Sequence, residues 1–239
     1  MAFEKFFPTV GSDSDSLLEC WIREQLSAIP KGAKLLDAGA GECRYRSACA
    51  HLEYIAQDFG QYHGGTGCDE GQNPTFWDNS KLDLVCDIAD LPVDDESFDG
   101  VLCTEVLEHV PNPLAALREL TRVVRRGGTL LLTVPFVSLT HFSPYHFCTG
   151  FSPNFFKHHL PEMGWRIDAV ETTGNFYGFL AQEIRRLKRV VRDDNCRTPL
   201  LYYPMAFVAL WYLQGMAYGK TRSDALSPYK VMIRATKLT

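Results

Sequence analysis

An apolar run that ends in an acid and then breaks into a glycine turn, Leu35-Leu36-Asp37-Ala38-Gly39-Ala40-Gly41, constrains this chain more than any other feature. A strand that stops in such a turn must hand over to an element leaving in a new direction, and a helix is the expected successor. Gly39 and Gly41 carry no Cβ to hold a ligand off the backbone, and the first amides of the helix would point into the same space. The turn therefore suits a charged, nucleotide-like ligand. A dinucleotide fingerprint, G-x-G-x-x-G, would need glycine where Arg44 stands, so close helix-to-strand packing of that kind is not encoded. Asp37, just ahead of the first glycine, suits a ligand with a positive end instead.

Apolar strands beginning near Lys34, Glu53, Leu82, Phe98 and Thr129 alternate with helical stretches. That alternation implies right-handed βαβ crossovers and an α/β, doubly wound, mostly parallel sheet, with ligand bound beyond the carboxyl ends of the strands. Ser16-Leu17-Leu18-Glu19 reads as a capping box for a helix running to about Ile29, where Pro30 and Gly32 end it. Further helices are expected over Leu114–Val124, Pro153–Met163 and Phe179–Arg192, and a strand over Trp165–Thr172. Gly60–Lys81 holds too much Gly, Asn and Asp for a crossover helix; it reads either as a plain excursion or as a flap carrying Tyr62, His63 or Trp77. The expected organisation is one domain: an N-terminal helix (1–30), a ligand-binding core (30–173), a helical insertion (174–228) and a final strand (229–239).

The 239 residues, 46% of them hydrophobic, suffice for one large core. A net charge of −5 argues against a surface that grips nucleic acid by its phosphates. Eight cysteines at 20, 43, 49, 68, 86, 103, 148 and 196 form no C-x-x-C pair, which points to reduced, structural thiols. The first residues, Met-Ala-Phe-Glu-Lys-Phe-Phe-Pro, lack the pattern of a secretory leader, so a cytoplasmic location is the expectation.

With these features together, the chain resembles the class I S-adenosylmethionine-dependent methyltransferases, in particular ubiquinone-pathway-type and type 11 members. Their first motif is an acid followed by G-x-G. Strand Glu53–Gln57 ends at Asp58, and Leu82–Cys86 runs into Asp87-Ile88-Ala89-Asp90-Leu91-Pro92; Ser97–Val110 and Arg126–Pro135 resemble the family's later blocks. The resemblance covers about residues 30 to 173. It implies a Rossmann-like, seven-stranded sheet with Tyr229–Lys237 inserted antiparallel, and S-adenosylmethionine as cofactor. Asp37, Gly39 and Gly41 would surround the methionine end, Asp58 the ribose, and Asp87 with Ile88 the adenine.

An acceptor hydroxyl must also lose a proton, which calls for a base or a metal. Glu105, Glu108 and His109 share one face if the turn after the fourth strand is helical. This E-x-x-E-H resembles a motif that holds a divalent metal, magnesium or manganese, in two branches of the family. His109 as a metal-free base or orienting group is the other reading, with Glu105 and His146 as further catalytic candidates. His141 and Tyr145 are secondary ones on the loop Phe136–Pro153, which by position roofs the acceptor side. The acceptor is expected to be a small molecule, a sugar or a lipid-linked precursor. A nucleotide-cofactor oxidoreductase and a catalytically silent S-adenosylmethionine-binding module are the competing readings.

Leu200–Gly219 is twenty residues without one charge, preceded by Arg185-Arg186, Lys188-Arg189 and Arg192. Pro204, Gln214 and four tyrosines argue against a full span, and both flanks belong to one domain, which a single crossing forbids. The run is expected to pack on the domain, to form a homodimer interface, or to lie on a membrane surface as a peripheral contact.

Overall fold

The computed structural model describes residues 8–12, 14–62, 78–217 and 222–238. His63, Cys68 and Trp77 lie outside the described residues, as do Tyr218 and Gly219 at the end of the uncharged run. Seven described strands form one mixed sheet: β1 (Lys34–Ala38), β2 (Glu53–Asp58), β3 (Leu84–Val85), β4 (Phe98–Thr104), β5 (Val124–Pro135), β6 (Trp165–Thr173) and β7 (Lys230–Lys237), in the order β3-β2-β1-β4-β5-β7-β6. The pairs β1–β2, β1–β4, β2–β3 and β4–β5 are parallel. β7 runs antiparallel to β6: Tyr229 N donates to Thr173 O at one end and Leu238 N to Gly164 O at the other. This is the Rossmann-like methyltransferase fold, and its strand order reverses between β1 and β4, where such sheets open a crevice for ligand.

The centre of the sheet is buried on both faces, as parallel strands require. Leu35, Leu36, Val101, Leu102, Leu130 and Leu132 are essentially inaccessible. Helix α1 (Ser14–Ser27) begins ahead of Ser16, so Ser16–Glu19 is not its cap. Helix α2 (Pro113–Val123) starts on Asn112, whose side chain accepts from Ala115 N at 3.1 Å, with Pro113 at the first helical position. It buries Ala116, Leu117, Leu120 and Val123. Helix α3 (Pro153–Glu162) adds Phe156 and Leu160.

Two further expectations fail. No helix follows the glycine turn: residues 41–51 form successive turns closed by bonds such as Cys43 N to Ala40 O and Arg46 N to Cys43 O. Cys43 has a left-handed φ of 58°, which interrupts the α ladder where it would have to start. β5 begins at Val124 rather than near Thr129, because Arg125–Gly128 continue the strand through a register shift opposite Phe98–Gly100.

The chain divides into two compact units. One comprises Cys20–Glu171 with the chain from Val231 onward, and it contains almost all of the sheet. The other comprises Thr172–Lys230 with the residues preceding Cys20. In it, α4 (Phe176–Asp193) and α5 (Tyr202–Ala217) pack through Ala181, Leu210 and Leu213. Tyr202 OH donates to Ile184 O at 2.6 Å, and Gln214 Oε1 accepts from Thr9 N and Val10 N. Of α5 only Leu210 and Leu213 are buried, while Met205, Val208, Trp211 and Tyr212 are exposed. Among the described residues no helix is long and apolar enough to cross a membrane.

Candidate active site

The carboxyl ends of β1, β2 and β3 are stitched together around the glycine turn. Gly39 N and Ala40 N both donate to Gln57 O at 2.8 Å, Gly39 N also approaches Gln57 Oε1, and Gln57 Nε2 donates to Cys86 O at 2.7 Å. Asp58 completes the seam, accepting from Gly41 N at 3.1 Å and from Gly60 N at 3.0 Å. The turn's amides are therefore committed to the end of β2 rather than pointing freely at a ligand. An ionised carboxylate has about four lone-pair positions, so Asp58 keeps acceptor capacity for ligand hydroxyls. Gln57 was not foreseen as a site residue; its signal was a polar residue within an otherwise apolar strand, directly before Asp58.

Gly39 has φ +76°, and a Cβ there would stand 2.3 Å from Val106 Cγ2. The turn thus abuts the segment that leads into His109, a contact only glycine permits.

Asp37 is buried and accepts a hydrogen bond from Tyr54 OH on the neighbouring strand. Desolvation pushes its carboxyl up to about 7; the Tyr54 hydroxyl opposes that shift and the nearby Asp58 charge adds to it. The same burial, with Asp37 beside it, raises the Tyr54 hydroxyl. A buried carboxyl held this way gains from a cation. Asp87 is exposed and accepts from Ala89 N at 2.9 Å, whereas Ile88 lies in the core.

β4 is followed by a single 3-10 turn, Leu107–His109. Glu105 lies outside it with a left-handed φ of 53°, and its Oε1 accepts from Thr133 Oγ1 at 3.2 Å. The helical spacing that would put Glu105, Glu108 and His109 on one face is absent, and among the described residues these three do not form a potential metal-ligand group. His109, His141 and His146 do. Glu108 is inaccessible, and its backbone oxygen accepts from Phe147 N and Cys148 N, fastening the roof loop to the 3-10 turn.

That loop covers the strand ends with rings. Tyr145 meets Phe59 edge-on at 4.9 Å between centroids, and Phe142 meets Tyr62 at 4.8 Å. His109 Nδ1 is 2.6 Å from Tyr145 O, and desolvation lowers the ring to about 4 against the push of that bond, with His141 and His146 adding to the drop. Burial lowers His146 as well. His109 is therefore neutral at physiological pH.

Residues 36–132 match the profile of a family described as "Methyltransferase domain". Over that stretch, less than half of the chain, the protein is similar to a methyltransferase domain. The domain is 46% identical over 108 residues to the Ubiquinone biosynthesis O-methyltransferase of Xanthomonas campestris pv. campestris, which covers 44% of each chain. It is 31% identical over 112 residues to the tRNA (carboxymethyluridine(34)-5-O)-methyltransferase of Arabidopsis thaliana, covering 46% of this chain and 26% of that protein. The chain thus spans less than half the length of these relatives. A crystal structure of a SAM dependent methyltransferase from Archaeoglobus fulgidus superposes with a TM-score of 0.53 at 18% identity, covering 93% of this chain and 94% of that one. At such identity the likeness is one of fold.

Proposed function

We propose that this chain methylates a hydroxyl oxygen of a small-molecule, sugar or lipid-linked acceptor, with S-adenosylmethionine as donor. The observation that carries the reading is the pair of acids at adjoining strand ends beside the crevice: Asp37, buried and raised by desolvation despite the nearby Arg46 charge, and Asp58, fixed by Gly41 and Gly60 with lone pairs to spare. The first complements the positive end of the donor, the second its ribose hydroxyls, and Asp87 with Ile88 borders the adenine.

The bound donor supplies a methyl carbon on a sulfonium: the carbon–oxygen bond forms as the carbon–sulfur bond breaks, the acceptor oxygen loses its proton, and a neutral thioether leaves. The protein's share is alignment and exclusion of water, for which the ring-lined loop over Phe59 and Tyr62 is suited. His109 can orient an acceptor hydroxyl through Nε2, but at about 4 it is a weak base at neutral pH.

Calorimetric titration with S-adenosylhomocysteine tests the donor site. Asp58→Ala should weaken binding by about 1.5 to 3 kcal/mol, the worth of a hydrogen bond to a charged group; undiminished affinity in a folded variant would refute the ribose role. Transfer of labelled methyl to a panel of hydroxylated acceptors tests turnover.

A further inference from the structure

Three imidazoles converge beside the strand ends, His109 from the 3-10 turn after β4, and His141 and His146 from the loop after β5. One nitrogen of each lies within 4.8 Å of the other two. The ring centroids are 4.6 Å apart for His109–His141, 4.9 Å for His141–His146 and 5.9 Å for His109–His146.

The hydrogen bonds around the rings have the pattern that readies a histidine for a metal. His109 Nδ1 faces Tyr145 O at 2.6 Å and His141 Nδ1 faces Leu139 O at 2.8 Å. A carbonyl only accepts, so each Nδ1 carries the proton and each Nε2 the lone pair. Both ring nitrogens of His146 are buried and make no hydrogen bond among the described residues, an arrangement that is costly for a polar group. Glu108, itself inaccessible, sets Oε1 3.7 Å from His109 Nε2.

We propose that His109, His141 and His146 form a three-imidazole site for a divalent metal of the zinc type, with a fourth position open to an oxygen ligand. Neutral nitrogen donors favour Zn²⁺ and its neighbours over the Mg²⁺ or Mn²⁺ that an oxygen-rich set would select. Zinc–nitrogen bonds of about 2.0–2.1 Å in a tetrahedron require nitrogens about 3.3 Å apart, so binding would draw the three rings inward. Resting on the methyl-transfer reading, the open position suits an acceptor hydroxyl, whose proton a metal makes easier to lose than His109 alone could. The acceptor class is then one with an ionisable hydroxyl, such as a phenol or a sugar.

The full chain, stripped with chelator and dialysed, is titrated with Zn²⁺ against a chromogenic chelator and loaded in parallel with Co²⁺ for visible spectroscopy. One equivalent of zinc, a tetrahedral cobalt spectrum, and at least tenfold weaker zinc binding in both His141→Ala and His146→Ala are expected. The surface group His158, His159 and Glu162 is the control: a His158→Ala/His159→Ala variant should bind zinc unchanged. Zinc that survives both loop substitutions, or that vanishes in the surface variant, overturns the proposal. If an alanine variant does not fold, the cobalt spectrum of the unsubstituted protein decides, an octahedral one counting against the site. S-adenosylhomocysteine titrated into the same samples separates the two claims: donor binding without zinc removes the metal site and leaves the methyl-transfer reading standing.

Discussion

Burial pushes the Asp37 carboxyl up to about 7, so if the proposed donor site is correct, donor binding and proton release are one event. A cation can dock only against the ionised carboxylate, so affinity for S-adenosylhomocysteine should rise as pH goes from 6 to 8, and titrations in buffers of different ionisation enthalpy should show a proton leaving. Stability runs the other way. Between the ordinary value of 3.8 and about 7 the folded chain holds the extra proton, so the apo protein loses stability as pH rises through that window, by an upper bound of about 4 kcal/mol at 1.36 kcal/mol per pH unit. Asp37→Asn should therefore raise the apo Tm at pH 8 while flattening the pH dependence of binding; a lower Tm would count against the desolvation account. Gly39→Ala combines a strained φ with the collision at Val106, and should cost about 2 kcal/mol or more. Adding Val106→Ala should recover the steric part and leave the backbone part, a difference that thermal denaturation can read. The positions of Asp37, Gly39 and Asp58 at the ends of β1 and β2 were legible because strand length and the glycine turn fix where each strand stops. Gln57 and Tyr54 were not, since their roles arise from strand pairing, which brings Tyr54 opposite Leu35 and Gln57 opposite Ala38.

At the level of elements, periodicity located most strands and helices, and it failed where one backbone angle or register decided the outcome. Residues 41–51 have a helical composition, but the left-handed Cys43 turns them into a chain of turns. Arg125–Gly128 fell between the expected helix and the strand expected from Thr129, and a bulge keeps them inside that strand. The E-x-x-E-H spacing implied a shared helical face, and a turn of three residues cannot carry one. The histidine cluster was half visible for the converse reason: His141 and His146 reach His109 through an irregular loop with no period to read. Two caps offer a graded test. Asn112 accepts one bond at an exposed helix start, so Asn112→Ala should cost about 1 kcal/mol. Asn175 is buried, caps α4 through Gly178 N and also donates to Ala217 O at 3.1 Å. Asn175→Ala should cost more than Asn112→Ala in denaturant titration, since it strands two backbone groups rather than one; equal losses would contradict that accounting.

Across the whole molecule, the helical pair stands out for what it leaves uncovered. α5 shows Val208 and Trp211 at 66% exposure each, and α4 carries five basic residues against two acidic ones, with Lys188, Arg189 and Arg192 exposed. Apolar surface beside cations suits an anionic lipid surface, which would also favour the lipid-linked class of acceptor. Vesicles rich in phosphatidylglycerol should sediment the protein and blue-shift Trp211 emission, with binding weakened by salt and by Trp211→Ala. Vesicles of phosphatidylcholine alone should not do so. Equal binding to both would remove the electrostatic part, and a concentration-dependent dimer without vesicle binding would assign the face to a second copy.

The position of β7 has a further consequence, for synthesis rather than for the finished protein. β7 fills the slot between β5 and β6, yet in the chain it follows both, with α4 and α5 made in between. While those helices are being translated, two neighbouring strands wait with open edges, each a template for another nascent chain. Ribosomes crowded on one message would set such edges side by side. The interval between β6 and β7 is therefore when this chain is most exposed to misassembly, and the stage at which a chaperone that shields strand edges would matter most.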